Sequence, residues 1–229
     1  TFESNDFAVH ISYFWNFLRS PSFHISDSFF NMKLLRCHFD LITFIIHIPV
    51  YLLTKTPAII LIIKPLIVYS SIFPLIKLQK HFFLKSQNYK KNQIIILTNL
   101  TALICLLNFY LNLTIRSEDN AIYAIPLILW AYYFSILNKV KLEILFMLIA
   151  TITRENIALL IALFYFVNFL FLKNNKRKNL GLTILFLCFF IVIVKFFIPM
   201  FENNYNSNSL ANPRFFDFYA HLGNNLTSV

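Results

Sequence analysis

Long apolar runs separated by short clusters of lysine and arginine constrain this chain more than any other feature. A helix that crosses the ~30 Å hydrocarbon core of a bilayer needs about 20 mostly apolar residues. Four runs approach that length and a fifth is slightly shorter: residues 58–79, 93–113, 155–172, 180–200 and 121–137. Charged residues make up only 13% of the chain, whereas a soluble domain carries about 25%. The sequence therefore predicts an all-α, multi-pass transmembrane bundle.

Two further apolar runs, residues 41–54 and 142–152, are too short to cross a bilayer as regular helices. At 1.5 Å per residue they extend only ~21 Å and ~17 Å. Their hydropathy alone does not say whether each one crosses the membrane or lies at its surface. The charges on either side of the runs determine which of these two placements we predict.

Three basic clusters set the predicted orientation, because short loops rich in lysine and arginine stay on the cytoplasmic side. The clusters are Lys77, Lys80, Lys85, Lys90 and Lys91; Lys139 and Lys141; and Lys173, Lys176, Arg177 and Lys178. With an external N-terminus, all three fall inside if residues 41–54 lie in the outer interface. We therefore expect one membrane domain over residues 1–229. It has an external segment 1–57 with an interfacial helix 41–54, transmembrane helices over 58–200, and an external tail 201–229.

The formal net charge of +10 does not indicate a nucleic-acid partner. The basic residues form short clusters between apolar runs and do not make a continuous stripe. In that position they face anionic lipid headgroups, so the bilayer is the predicted partner. The widely spaced Cys37, Cys105 and Cys188 match no metal motif and are interpreted as packing residues.

The same topology gathers most acidic side chains on the outer face. They are Glu3, Asp6, Asp27, Asp40, Glu118, Asp119, Glu155, Glu202 and Asp217. Arg154 and Glu155 form the strongest candidate site on physical grounds, since ionisable residues between apolar runs usually mark an ion pair or a lined cavity. Glu155 also suits a helix start, where the macrodipole favours an acid. The alternative is that both residues simply lie at the outer interface.

Prolines and one lysine are expected to disturb the run 58–79. Pro65 and Pro74 predict interruptions, because proline cannot donate a backbone hydrogen bond and kinks a helix. Lys64 is expected to extend its ammonium outward from the helix. His47, within an apolar run, is expected to be packed or interfacial.

Four short motifs, in order along the chain, are similar to those of one membrane family. Asn5-Asp6-Phe7 to Trp15-Asn16 resembles Tyr-Asp-Leu-Gly…Trp-Asn, and His38-Phe39-Asp40-Leu41 partly matches His-Phe-Ser-Pro. Arg154-Glu155-Asn156 resembles Lys/Arg-Glu-Asp, and Tyr219-Ala220-His221-Leu222-Gly223 resembles Tyr-x-x-Leu-Gly. The chain thus resembles the uncharacterised multi-pass family called domain of unknown function 2079, which is related to the GT-C glycosyltransferases.

The chain departs from that family at several points. Glu118-Asp119-Asn120 stands where the family has His-Pro-Glu, the Ser-Pro after His-Phe is lost, and Asn156 replaces an Asp. The family's first transmembrane helix has no counterpart in this chain, and neither has the part of the family sequence that would follow Val229. These departures predict a fragment or a decayed copy.

The resemblance implies a GT-C-like enzyme that transfers a sugar from a polyprenyl-phosphate donor at the outer face of a bacterial plasma membrane. It implies a catalytic role for Asp6, assisted by Glu118 or Asp119, as base toward the acceptor or as ligands of a divalent metal. A carboxylate beside an acceptor hydroxyl can take its proton, and Arg154 or Arg36 could support the departing phosphate with forked hydrogen bonds. The candidate substrate-binding residues are Arg36, His38, Arg154, Glu155, Tyr219 and His221.

Two other classes of function fit the same residues. A transporter or channel would also use broken helices and embedded charge, although the ionisable residues here concentrate toward the outer side and not the midplane. A non-catalytic membrane subunit or inactive fragment would explain the lost motif residues. The sequence identifies no sugar, acceptor or metal.

Overall fold

The computed structural model describes residues 12–13, 15–22, 39–56, 59–86, 91–108, 120–171 and 175–200. Of these residues 88% are helical and none is in a strand, so the predicted all-α class is confirmed for this part of the chain. Two helical stretches, Leu61–Phe83 and Lys176–Phe197, are long and apolar enough by length and composition to cross a membrane.

The helices follow the apolar runs of the sequence. A π-helical turn, Thr43–His47, continues into α1, Ile48–Thr54; then come α2, Ile60–Tyr69, α3, Ile72–Ser86, and α4, Lys91–Leu107. A 3₁₀ turn, Asn120–Tyr123, leads into α5, Ala124–Ile136, followed by α6, Val140–Thr151, and α7, Glu155–Phe171. The last described elements are α8, Lys176–Val192, a second π turn, Ile193–Phe197, and α9, Ile198–Met200.

The chain divides into two compact units. Unit 1 comprises Thr1–Leu41 and Arg154–Val229, and unit 2 comprises Ile42–Thr153. In unit 1, α7 and α8 pack along their length, with the rings of Tyr165 and Phe186 stacked at 6.1 Å. Four residues of sequence separate the end of α7 from the start of α8, a spacing typical of a helical hairpin.

Unit 2 contains a second hairpin, formed by α5 and α6. Its turn is a Schellman motif: Asn138 has a positive φ of 56°, and the N–H of Lys139 donates to the carbonyl of Phe134 at 2.9 Å. Asparagine is one of the few residues that tolerates this left-handed conformation. In a third pair, α3 and α4, the side chain of Gln79 donates a hydrogen bond to Thr101.

The interruption predicted at Pro65 is wrong, because α2 continues through that residue. The helix instead tightens at Ser70, four residues before Pro74. The carbonyl of Ser70 cannot receive an N–H from Pro74, so it accepts one from Phe73 at 3.1 Å. Pro74 then lies in the first turn of α3, where a missing N–H leaves no bond unmade.

The predicted outward extension of Lys64 is also wrong, since the residue is only 6% exposed. Lys64 shares a face of α2 with the fully buried Val68, one helical turn away. That helix packs against α5 and the 3₁₀ turn. Tertiary packing therefore covers a lysine that the hydropathy pattern alone placed at the surface.

Candidate functional site

Arg154 and Glu155 form an ion pair at the start of α7 in unit 1. The Nε atom of Arg154 lies 3.9 Å from Oε1 of Glu155. Glu155 is 2% exposed, whereas a quarter of the Arg154 side chain is accessible. Of the arrangements left open by the sequence, the structure shows an ion pair, in which the carboxylate is buried and the arginine side chain is partly exposed.

The second carboxylate oxygen of Glu155 holds a distant part of the chain. Its Oε2 accepts a hydrogen bond from the backbone N–H of Phe39 at 2.9 Å, across 116 residues of sequence. The Phe39 ring also packs edge-on against Phe197 at 4.7 Å. Since consecutive Cα atoms are 3.8 Å apart, the buried Asp40 is held close to the same point. A segment of the predicted external region thus meets the start of α7.

Local sequence explains why Glu155 occupies this place. It is the first residue of α7, where backbone N–H groups have no intrahelical acceptor and the helix dipole favours a negative charge. The next turn is closed by the N–H of Ile157, which donates to the carbonyl of Arg154. A buried carboxylate at this position is stabilised by the dipole, by Arg154 and by the Phe39 amide together.

A second buried polar cluster lies in unit 2, where the π turn meets the 3₁₀ turn. His47 Nε2 and the Tyr123 hydroxyl are 2.8 Å apart, and Asn120 Nδ2 donates to Thr43 Oγ1 at 3.3 Å. All four residues are buried. The expectation that His47 is packed is therefore confirmed. π turns occur frequently at functional sites, and this one is fixed by side chains 76 and 77 residues away.

The hydroxyl of Tyr123 should stabilise unit 2 measurably. Tyr123→Phe removes the bond to His47 and leaves a buried ring nitrogen without that partner, so we expect a loss of about 1–2 kcal/mol in unfolding free energy. Titration of detergent-solubilised protein with SDS measures the change. In a His47→Phe background the same substitution should cost less than about 0.5 kcal/mol. Equal losses in both backgrounds would show that the hydrogen bond contributes nothing.

All the other predicted site residues lie outside the part of the chain that the structure describes. They are Asp6, Arg36, His38, Glu118, Asp119, Tyr219 and His221. Of the candidates named from sequence, the structure brings together Arg154 and Glu155. Asn120, the residue after Glu118 and Asp119 in the sequence, is described, and its side chain donates to Thr43. The convergence of these residues on one cavity stays a prediction.

Two remaining expectations concern metal binding and the opening motif, Asn5-Asp6-Phe7 to Trp15-Asn16. Within the described ranges, no group of three or more His, Cys, Asp or Glu side chains is arranged to hold a metal ion, and the acids to which a metal was assigned lie outside those ranges. In the opening motif, Trp15 is described, and the guanidinium of Arg19 lies 5.1 Å from the centre of its ring.

Sequence reasoning gave no role to Glu143, a buried ionisable residue. It lies in the first turn of α6 and is fully buried. Its N–H donates to the carbonyl of Lys139 at 3.0 Å. Glu143 is the only charged residue in the run 142–152, and a lone carboxylate in an apolar run is a signal that could have found it.

No protein-family model matches this chain, and neither the curated proteins nor the solved structures contain a match to it. The likeness to the domain of unknown function 2079 family therefore stays a prediction from the motifs.

Proposed function

We propose that this chain is a multi-pass membrane protein with a GT-C-like helical bundle. In this proposal it transfers a sugar from a polyprenyl-phosphate donor at the outer face of the plasma membrane. The observation that carries the membrane placement is the exposed apolar surface of its helices. The observation that supports the activity is the Arg154–Glu155 pair, because it combines a buried carboxylate with a partly exposed arginine side chain.

The exposed surface of the long helices is too apolar for stable contact with water. In Leu61–Phe83 and Lys176–Phe197, only 28% of the most apolar window is buried within the protein. A core helix of a soluble domain would be mostly covered. The shorter helices are similar, with Leu107 71% and Phe171 78% exposed. A surface this apolar is stable next to lipid and not next to water.

The helical hairpins place basic residues at their connected ends. Lys85 is exposed near the end of α3, Lys139 lies at the turn between α5 and α6, and Lys176 begins α8. Each belongs to one of the three basic clusters of the sequence. Because such residues favour the cytoplasmic side, this arrangement supports a topology in which each hairpin turns inside.

The buried polar groups lie at the opposite ends of the same helices. Glu155 begins α7, a helix of 17 residues whose other end leads to the basic residues at the start of α8. At 1.5 Å per residue α7 is about 25 Å long. In unit 2 the 3₁₀ turn with Asn120 and Tyr123 precedes α5, whereas Lys139 follows it. Both polar sites therefore belong to the proposed outer side.

Arg154 fits the task of binding a phosphate. A guanidinium presents five N–H donors in a planar fork that matches the geometry of a phosphate. Arg154 lies 3.9 Å from the buried Glu155 carboxylate, and a quarter of its side chain is exposed. By the family resemblance, Asp6 is the base toward the acceptor hydroxyl, and Arg154 supports the departing polyprenyl phosphate.

A transporter is the second candidate. Lys64 and Glu143 are buried within the apolar helices α2 and α6 of unit 2, and ionisable residues at such positions often line ion or substrate pathways. Vesicles containing the chain separate the two functions. Transfer of label from a tritiated polyprenyl-phosphate hexose to an acceptor supports the enzyme, whereas uptake of solutes without transfer supports the transporter.

Single cysteines should report the proposed topology. In a background with Cys37, Cys105 and Cys188 changed to serine, Lys55→Cys should react with an impermeant maleimide added to intact cells, because it follows α1 on the outer side. Lys139→Cys should react only after permeabilisation. Both parent lysines are exposed, so burial does not prevent labelling. The opposite pattern of labelling would contradict the orientation.

A further inference from the structure

A cation–π cluster occupies the basic end of unit 2. The Nζ atom of Lys77 lies 4.8 Å from the centre of the Trp130 ring and 5.6 Å from that of Tyr133. Both distances are within the ~6 Å at which an ammonium is attracted to an aromatic face. Lys77 comes from α3 and both rings come from α5, so the cluster also joins two helices that pack together.

Two further aromatic rings hold the indole of Trp130 in place. Phe134 stacks on it at 5.7 Å with an interplanar angle of 23°, and Phe146 of α6 lies 6.3 Å away. Trp130 and Tyr133 are half-buried, whereas Lys77 is exposed. The rings therefore form a rigid aromatic surface, and the exposed ammonium of Lys77 covers it.

The exposed charges among the described residues of unit 2 are all positive. Lys80, Lys85, Lys139 and Lys141 all belong to the same unit, and Lys85, Lys139 and Lys141 are exposed. Glu143 is the one acidic residue among the described residues of unit 2, and it is fully buried. Lys139 lies three residues after the end of α5, the helix that carries Trp130 and Tyr133. The lysines beyond the end of α5 thus add to the positive potential at Lys77.

The side of Lys77 that faces away from the basic end is apolar. Phe73 lies one helical turn earlier on the same face of α3 and is 64% exposed. This arrangement is amphipathic, because the apolar Phe73 ring lies on one side of the ammonium and the tryptophan and tyrosine rings contact it. Such an arrangement matches the boundary between acyl chains and headgroups. A nucleic acid or a soluble anion would gain nothing from the exposed Phe73.

We propose that Lys77, Trp130 and Tyr133 form a binding site for the headgroup of an anionic phospholipid in the cytoplasmic leaflet. The ammonium of Lys77 donates to the phosphate while the two rings hold it in position. Phe73 contacts the acyl chain. This site rests on the proposed membrane location of unit 2, but it is independent of the proposed glycosyltransferase activity.

The fluorescence of Trp130 can report which lipid lies at this site. The chain contains 2 tryptophans, so Trp15→Phe leaves Trp130 as the only one. The variant is reconstituted in phosphatidylcholine vesicles that carry equal mole fractions of either brominated phosphatidylglycerol or brominated phosphatidylcholine. The bromines lie on the acyl chain just below the headgroup. We expect about fivefold enrichment of the anionic lipid around Trp130, seen as stronger quenching, since one lysine near an anionic surface gives about that factor.

Substitutions at Lys77 separate a specific site from general attraction. Lys77→Gln should remove the preference for brominated phosphatidylglycerol. Lys77→Arg should retain it, because a guanidinium also stacks on aromatic faces and binds phosphate. Lys85→Gln, which removes another exposed lysine of the same basic cluster, is the matched control and should leave most of the preference in place.

Two results would overturn the site in distinguishable ways. Equal quenching by the two brominated lipids, unaffected by Lys77→Gln, would reject the headgroup site while leaving unit 2 in the membrane. The absence of quenching by either lipid would place Trp130 away from acyl chains and would reject the membrane location together with the site.

Discussion

Glu155→Ala should lower the free energy of unfolding by about 2–4 kcal/mol, because a buried backbone N–H loses a charged acceptor and a partly exposed arginine loses its counter-charge. In this case the loss has two parts. Arg154 loses its carboxylate, and the Phe39 N–H loses its acceptor at 2.9 Å. The change can be measured by SDS titration of the protein in detergent micelles, with helical circular dichroism as the signal.

Two further variants separate the causes of this loss. Glu155→Gln keeps an oxygen that can accept from Phe39 but removes the charge, so we expect a smaller loss of about 1–2 kcal/mol. Leu163→Ala, at a side chain 55% exposed on the same helix, should cost less than about 1 kcal/mol. Hydrogen exchange at the Phe39 amide should accelerate in Glu155→Ala more than in Glu155→Gln. If Glu155→Ala behaves like Leu163→Ala, the carboxylate does not hold the two segments together.

The positions of the helices could be predicted from the sequence because apolar runs and charged breaks alternate clearly. Glu155 was expected to begin a helix, and it is the first residue of α7. The start of α8 was placed too late, at residue 180. Lys176, Arg177 and Lys178 were treated as loop charges, although lysine and arginine are good helix formers, and they make the first turn of α8.

The depth of each charged side chain could not be predicted in the same way. A topology rule based on lysine and arginine sorts residues to one side of a membrane but does not say how deeply they are buried. Glu143 therefore received no role, and Lys64 was placed at the surface, although both are buried. Their burial depends on how α2, α5 and α6 pack, which a local pattern does not contain.

The contacts that define the candidate site were beyond sequence reasoning for a similar reason. The pairing of Arg154 with Glu155 is local and was one of the arrangements that the sequence left open. The hydrogen bond from Phe39 to Glu155 and the contact between His47 and Tyr123 join residues 116 and 76 positions apart. Apolar periodicity gives the face of a helix, but it does not identify the partner of that face.

Asp6→Asn should reduce sugar transfer by ~10²-fold or more if the chain acts as proposed, a loss typical of removing one catalytic group. The amide keeps the shape of the side chain but cannot take the proton of the acceptor hydroxyl. The assay measures transfer from a tritiated polyprenyl-phosphate hexose in vesicles that contain the chain. Insertion into the vesicle membrane and the unfolding midpoint should not change, which distinguishes a loss of chemistry from a loss of fold.

Arg154→Lys should reduce transfer to a similar degree, because a single ammonium cannot reproduce the two-pronged contact of a guanidinium with phosphate. The ammonium introduced by this substitution could still pair with the buried Glu155, so we expect stability to fall by only about 1 kcal/mol. Lys85→Gln is the control. It removes an exposed cation at the opposite, basic end of the helices, whereas Lys64 is unsuitable because it is buried. Full transfer by Asp6→Asn and Arg154→Lys would remove both residues from the mechanism, and uptake measurements on the same vesicles would then test transport.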